Sequence, residues 1–447
     1  MAFRSDALDG RGRAIASWLF WAAIAGQVLF ALAVTRPWQT GDSPFYLSLA
    51  NAIDHGFYGW PHGAGIQPDA LRPPGYPILL WLLLHRLHAN IALVVLLQMG
   101  LYVASIRLID RRLAREGLNV IPFRLLALAY PFGAIYCGFV MTEAWATLAL
   151  TSLALLVSEE KLTSTRLLLA GLLAGVASLF RADLLLLPLV IAMIVVARDW
   201  RSAARRVAIG RALLPLLAAV AVLTPYSLWN ARHFGRLSPI PVASAVGNSL
   251  YLATWQGRVP LADLNALDRG VMTQRVADSG LAGEIERINR SIGAEPLTSP
   301  FNPASYPGAA LQVRSSKAFG QAARKRIYAN PLDYARHVGR NLWALWNTSA
   351  YPSGIPEIGR LALMLVSGLV FLIGVIGLLI AVRSRHRLSA AGLILLYPMI
   401  IHLPLHTEAR YTAAVRPLLL MFASFAVLWL MKCYRQRQWQ FGREAVG

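Results

Sequence analysis

Runs of roughly 15 to 25 apolar residues with few charges recur along the chain, and each is long enough to cross a hydrocarbon core of about 30 Å as a helix. They lie at 15–34, 90–109, 120–140, 144–157, 166–180, 184–197, 210–229, 359–382, 388–405 and 412–431. The pattern predicts an all-α polytopic membrane protein with about ten transmembrane helices, an even number that returns both termini to one side. Composition agrees: 15% of the 447 residues are charged and 56% are hydrophobic, whereas a soluble domain is about 25% charged.

A net charge of +21 raises nucleic acid as a partner, but such a surface gathers its cations on one soluble face. Here they sit in short loops between apolar blocks, where Lys and Arg mark the cytoplasmic side. Arg107, Arg111, Arg112, Arg115, Lys161, Arg198, Arg201, Arg205, Arg206, Arg383, Arg385, Arg387, Lys432, Arg435 and Arg437 fall on one side; Arg36, Arg72, Arg181 and Arg410 fall on the other. Both termini are therefore predicted to be cytoplasmic, with membrane lipids and no nucleic acid around the chain. Arg4, Arg11 and Arg13 before the first apolar run resemble a signal peptide, and Ala31-Leu32-Ala33 imitates a cleavage site. That run is longer than a signal core and many spans follow, so an uncleaved anchor is expected. Cys137 and Cys433 fall on opposite sides and build no disulfide framework.

The chain divides into residues 1–229, with seven helices and a first outer loop at 36–76; residues 230–358, a long outer loop or small periplasmic subdomain; and residues 359–447, with three helices and a basic tail. Long loops in compact proteins usually carry function. The stretch 76–88, interrupted by His85, Arg86 and His88, reads as a helix at the interface. Within the long loop, Leu261 to Ile292 and Ala309 to Ile327 have helical patterns. From Tyr334 to Trp346, Val338, Leu342 and Leu345 share one face, with Trp343 and Trp346 as interface anchors, so this helix is expected along the outer membrane surface.

Candidate chemistry gathers at the outer ends. Asp42 opens Asp42-Ser43-Pro44-Phe45-Tyr46, where an acid serves either as a helix cap or as a functional group. Arg72-Pro73-Pro74 holds a guanidinium at the membrane surface, for lipid headgroups or for a phosphate. Glu143, between the third and fourth blocks, is an acid close to the apolar layer, a costly placement that reads as functional unless it faces water. Arg181 and Asp183 mark another outer turn, as easily structural as functional. His402, His406, Glu408, Arg410 and Tyr411 form the last cluster, and the two histidines have the i, i+4 spacing of a metal pair without a third firm ligand. Asp54, His55, His62 and Asp69 are further ligand types that nothing brings together. The chain has no Walker loop and no dinucleotide fingerprint.

In their order, these residues resemble the polyprenol-phosphate-sugar-dependent glycosyltransferases of the GT-C fold, in particular the bacterial relatives of the protein mannosyltransferases and of the lipid A aminoarabinose transferase. The likeness is carried by Asp42 to Ala50, Arg72-Pro73-Pro74, Glu143, Arg181, Thr224 to Gly235, Ser244 to Tyr251, Pro331 to Tyr334, and Glu408-Ala-Arg410-Tyr411 to Pro417. Trp229 stands where that family often has Arg. The resemblance implies an inverting transfer of a sugar from a polyprenyl-phosphate donor to a glycan, lipid or protein acceptor on the outer face. It implies Asp42 as general base with Glu143 sharing or orienting, Arg72 and Arg410 on the donor phosphate, and Tyr46, Arg181, His406, Glu408 and Tyr411 in support. A divalent metal is compatible with that fold, and no Asp-x-Asp pair names ligands for one. The competing readings are a lipid-linked glycan ligase or polymerase, and a transporter or flippase; the last normally places ionisable groups near the midplane and carries internal repeats.

Overall fold

The computed structural model describes residues 10–62, 65–199, 205–243, 246–256, 258–268, 271–294, 308–347 and 356–444. The protein is nearly all helical. The first long helix, α1 (Gly10–Val34), leads to α2 (Ser43–Asp54) and a small antiparallel hairpin of β1 (Gly59–His62) and β2 (Gly65–Pro68), in which Trp60 pairs with Gln67. Then come α3 (Gly75–Trp81), which runs on into a π turn at Leu82–Arg86, α4 (Ile91–Arg115), α5 (Ile121–Ala129), α6 (Phe132–Cys137), α7 (Glu143–Val157), α8 (Ser164–Phe180), α9 (Leu187–Asp199) and α10 (Arg205–Phe234). Among the described residues of the long connection, five helices follow: α11 (Val246–Ala253), α12 (Leu261–Asp268), α13 (Gln274–Asp278), α14 (Leu281–Ser291) and α15 (Ala309–Ala329). The chain closes with α16 (Pro331–Asn347), α17 (Glu357–Arg383), α18 (Ala391–His402) and α19 (Arg416–Glu444).

Among the described residues, five segments are long and apolar enough to cross a membrane: Ala14–Val34, Ile91–Arg115, Arg206–Phe234, Glu357–Arg383 and Ala409–Tyr434. Glu143–Val157, Ser164–Phe180 and Arg387–His402 are apolar but shorter. The block at 120–140 is not one span. It breaks at Tyr130-Pro131 into α5 and α6, because the residue before a proline is pushed out of the helical region. Buried Gln27 takes up the carbonyls this frees, its Nε2 donating to Ala127 O (3.0 Å) and Leu128 O (3.3 Å), and where α6 ends buried Gln98 Nε2 donates to Cys137 O (3.0 Å) and Phe139 O (2.6 Å). Irregular backbone in an apolar bundle is tolerated only where protein satisfies it in this way.

The main core joins α1, α4, α5, α6, α7, α17 and α19 through residues such as Ile24, Tyr102, Phe123, Leu150 and Phe422. α17 and α19 approach so closely that a Cβ on Gly377 would lie 1.7 Å from Phe422 O, the close backbone contact that small residues permit between membrane helices. A separate core under the long connection gathers Tyr251, Leu264, Leu281, Ile285 and Phe319. The helical patterns expected at 261–292 and 309–327 are thus α12 to α15. α16 differs from expectation in one respect: Trp346 is no interface anchor but fully buried, stacked on Phe371 at 5.0 Å and under the Arg416 guanidinium at 4.5 Å.

Charge separates to the two ends of the bundle. At the C-terminal end of α7, Arg112 pairs with Glu116 (2.9 Å) and with Glu159, Arg387 pairs with Glu116 (3.4 Å) and Glu160 (3.3 Å), and Arg198 donates to the carbonyls of Val157, Glu159 and Glu160. The other end of α7, roughly 22 Å away by helix rise, carries Glu143 and the second polar layer.

Candidate functional site

α2 starts where it does because Pro44 suits a first helical turn, lacking only an N–H that would have no partner there. Asp42 occupies the cap position, yet its side chain makes no capping hydrogen bond. The turn before it closes on itself: Thr40 N–H donates to Ser43 Oγ (3.0 Å) and the Ser43 hydroxyl donates to Thr40 O (2.8 Å). The reading of Asp42 as a simple helix cap is thereby corrected. Its carboxylate accepts Arg72 Nη2 on Oδ1 at 3.4 Å and Arg410 Nη1 on Oδ2 at 3.2 Å, so two guanidiniums flank it from opposite sides. Gly41 before it has φ 45°, the left-handed region, and a Cβ there would stand 3.8 Å from Arg410 Nη1. Burial pushes the Asp42 pKa up, but the charges of Arg410 and Arg72 outweigh it and hold the group below the ordinary carboxylate value.

Arg72 is placed by its backbone. Asp69 Oδ2 accepts the N–H groups of Arg72 (2.7 Å) and Leu71 (3.2 Å), while Oδ1 accepts Trp60 Nε1 (2.6 Å). The Arg72 carbonyl accepts the hydroxyls of Tyr58 (2.8 Å) and Tyr226 (3.3 Å). Its guanidinium lies over the Phe45 ring at 4.3 Å and is only 11% exposed, so Arg72 faces the site rather than lipid headgroups. Asp69 was not singled out in the sequence as an active participant; an Asp three residues before an Arg-Pro turn is the local signal that exposes it.

Glu143 opens α7 and is buried, 2% exposed, not facing water. Arg181 Nη1 lies 3.4 Å from its Oε1, and Oε2 has no hydrogen-bond partner among the described residues. Arg181 forks onto Asp183, with Nε to Oδ1 at 3.1 Å and Nη2 to Oδ2 at 3.0 Å. His402 Nε2 meets the same Oδ2 at 2.8 Å, and the His402 ring stacks on Tyr411 at 4.3 Å. Burial raises the Asp183 pKa, yet Arg181 and His402 drive it far below the usual range. Asp183 and His402 therefore belong to the site as positioning groups for Arg181, and no sequence spacing paired residues so far apart.

On the far side, Arg410 Nε lies 2.8 Å from Glu408 Oε2 and its guanidinium sits 5.3 Å from the Tyr411 ring. Tyr46 links the halves: it packs edge-to-face on Tyr76 at 5.0 Å, and its phenol is pushed up first by burial and then by the Asp42 charge, with Arg72, Glu143 and Arg181 also in range. His406 is buried, which lowers its pKa, with Glu408 the nearest opposing charge. Arg72, Asp42, Arg410 and Glu408 thus form one chain of ion pairs and Glu143, Arg181, Asp183 and His402 a second, with Tyr46, Tyr411 and His406 around them.

The i, i+4 metal pair does not form as such, because α18 ends at His402 and that ring turns to Asp183. Among the described residues no group of three His, Cys, Asp or Glu is placed to hold a metal ion. Asp54 pairs instead with His85 at 3.4 Å, His55 Nδ1 lies 2.9 Å from Asn51 O, and the side chain of His62 lies outside the described ones. Of the Gly-rich stretch at 244–251, Ser244 and Ala245 are likewise outside; Asn248 and Tyr251 are buried in α11.

Chemically the site offers three arginines whose main partners are carboxylates, groups that an incoming phosphate can displace with equivalent geometry. It also offers one part-exposed carboxylate, Asp42 at 36%. Comparison with protein-family models, with curated proteins and with solved structures yields no match for this chain.

Proposed function

We propose that this protein is a membrane glycosyltransferase of the GT-C kind, with about ten membrane segments, moving a sugar from a polyprenyl-phosphate donor to an acceptor hydroxyl on the outer face of a bacterial inner membrane. One observation carries the reading: Asp42 holds Arg72 and Arg410 on opposite oxygens, at 3.4 and 3.2 Å, in the polar layer away from the basic loops. Both arginines are parked on a carboxylate, and a phosphate is the ligand that competes best for them. As the donor phosphate takes the two guanidiniums, Asp42 loses the charges that depress its basicity. Donor binding would thus switch on the base.

The acceptor hydroxyl oxygen then attacks the anomeric carbon as its proton passes to Asp42. The bond from that carbon to the phosphate oxygen breaks, and the electron pair leaves on the polyprenyl phosphate, whose growing charge Arg72 and Arg410 stabilise. A single displacement inverts the anomeric configuration, and the leaving phosphate needs no proton. Glu143, paired with Arg181, would orient the acceptor or share the base role.

The deciding assay supplies purified protein with radiolabelled polyprenyl-phosphate sugars and a membrane extract. Release of polyprenyl phosphate with label on an acceptor is expected, and Asp42→Asn should lower it by about 100-fold or more. Equal transfer by wild type and Asp42→Asn would sink the base assignment, and no transfer from any such donor would sink the reading.

A further inference from the structure

α16 has one docked face and one open face. His337, Asn341 and Leu345 are buried, and that side is tied to the turn after α18: Asn341 Nδ2 donates to Leu403 O (3.2 Å) and Leu405 O (3.3 Å), and the Tyr334 hydroxyl donates to Pro404 O (2.5 Å). Leu332, Arg336, Gly339, Arg340 and Trp343 follow one another at helical spacing and share the opposite, exposed face. Leu332 is 65% and Trp343 47% exposed. Arg336 and Arg340 have no carboxylate or hydrogen-bond partner among the described residues; Asp333, an acid of the same helix, pairs with Arg258 (2.5 Å) and His337 (3.5 Å) instead. Two cations one turn apart thus stand uncompensated beside exposed apolar side chains.

Trp343 fixes the level of that face along a membrane-crossing helix. It packs on α17 so closely that a Cβ on Gly368 would meet its Cη2 at 2.7 Å. By helix rise, Gly368 stands about 22 Å from Arg383, where α17 ends in the basic layer. In a hydrocarbon core of about 30 Å, that leaves Gly368 about 8 Å short of the opposite edge. Arg340 and Arg336 lie one and two turns back from Trp343, and a guanidinium on its long stem reaches from there to headgroup level. Beside Gly368, the side chains of Leu361, Leu365, Leu369 and Leu372 on α17 are all more than half exposed, a continuous apolar row below the arginines.

We propose that the open face of α16 beside α17 binds an anionic phospholipid of the leaflet opposite the basic loops, with its phosphate on Arg336 and Arg340 and its acyl chains along Leu365 and Leu369. The chemistry selects this occupant over two others. A soluble acidic glycan would use the arginines but leave Leu332 and Trp343 in water, and Trp343 sits below the depth such a chain enters. A zwitterionic headgroup brings its own cation and leaves the pair of guanidiniums less neutralised than a net negative one does. The site does not depend on the transferase reading.

The test places a fluorophore on that face. Gly339→Cys, where a Cβ meets open space, is labelled with bimane in the full chain carrying Cys137→Ser and Cys433→Ser. The protein is reconstituted in phosphatidylcholine nanodiscs into which brominated phosphatidylglycerol or brominated phosphatidylcholine is titrated, and contact with bromine quenches the label. Half-maximal quenching should need a mole fraction of the glycerol lipid at least about 5-fold lower, the factor equivalent to about 1 kcal/mol for a single cation beside an anionic surface. Arg336→Gln with Arg340→Gln should bring the two lipids level, while Arg336→Lys with Arg340→Lys keeps both charges and should retain most of the preference. Both pairs of changes fall on exposed side chains without partners among the described residues, so folding is little threatened. Equal quenching by the two lipids, or a preference that survives the paired Gln changes, would overturn the proposal. No quenching by either lipid would place the face in water and overturn it as well, and retention of that protein on dextran sulfate would then assign the arginines to an acidic polysaccharide.

Discussion

The behaviour of single residues here follows from which charges can exchange partners. Arg72→Lys keeps a cation but loses the planar fork that fits phosphate and stacks on Phe45. Donor KM should rise about 10-fold with smaller loss in kcat; an unchanged donor KM would separate Arg72 from the phosphate. Asp69→Asn should reproduce part of that defect, because Asp69 holds the Arg72 backbone. For Asp42 the pH dependence has a definite sign. Its folded pKa is depressed, so the stability it adds is present above the ordinary value of about 3.9 and is lost as pH falls through the lower folded value. Arg410→Gln leaves burial less opposed and raises the folded pKa, so the variant should melt below wild type near neutral pH and the gap between the two should shrink as pH falls through the carboxylate range. Identical acid melting curves would disconnect the pair.

At the scale of elements, two contacts decide whether the bundle closes. Gly377→Leu forces α17 off Phe422 O, and strong destabilisation or loss of folded protein is expected in a detergent melt, whereas Gly26→Leu has open space and should melt like wild type. Arg416 ties three elements at once: it donates to Leu345 O (3.1 Å), Trp346 O (3.2 Å) and the Tyr130 hydroxyl, among the rings of Phe132 and Trp346. Arg416→Leu leaves Leu345 O its bond from the Thr412 hydroxyl (2.7 Å) but removes the donor to Trp346 O, and should cost about 1–3 kcal/mol for that group. A Tm within error of wild type for Arg416→Leu would show that α16 docks by other means. The break at Tyr130-Pro131 shows how elements are legible only in part. The dipeptide itself announces a helix end, but the side chain that satisfies the freed carbonyls, Gln27, comes from a helix distant in the chain.

For the whole molecule, the two charge layers make a topological prediction. In a background with both native cysteines replaced by serine, a cysteine at Asn51 should react with an impermeant thiol reagent on spheroplasts, and one at Ser384 only after lysis. The opposite pattern would invert the protein and place the candidate site in the cytoplasm. Labelling of both positions from outside would contradict the even span count.

Much of the architecture was already written in the sequence: apolar length dictates helices that cross a bilayer, basic loops mark one side, and Asp42, Arg72, Glu143 and Arg410 stand out as polar groups beside apolar blocks. Those are local properties, read within a few residues. Only the tertiary structure decided that Asp42 leaves its capping role to reach Arg72 and Arg410, that Trp346 turns inward, and that Asp183 meets His402. A charged group at a helix end has several partners within local reach, and the choice among them falls to whichever distant helix packs beside it.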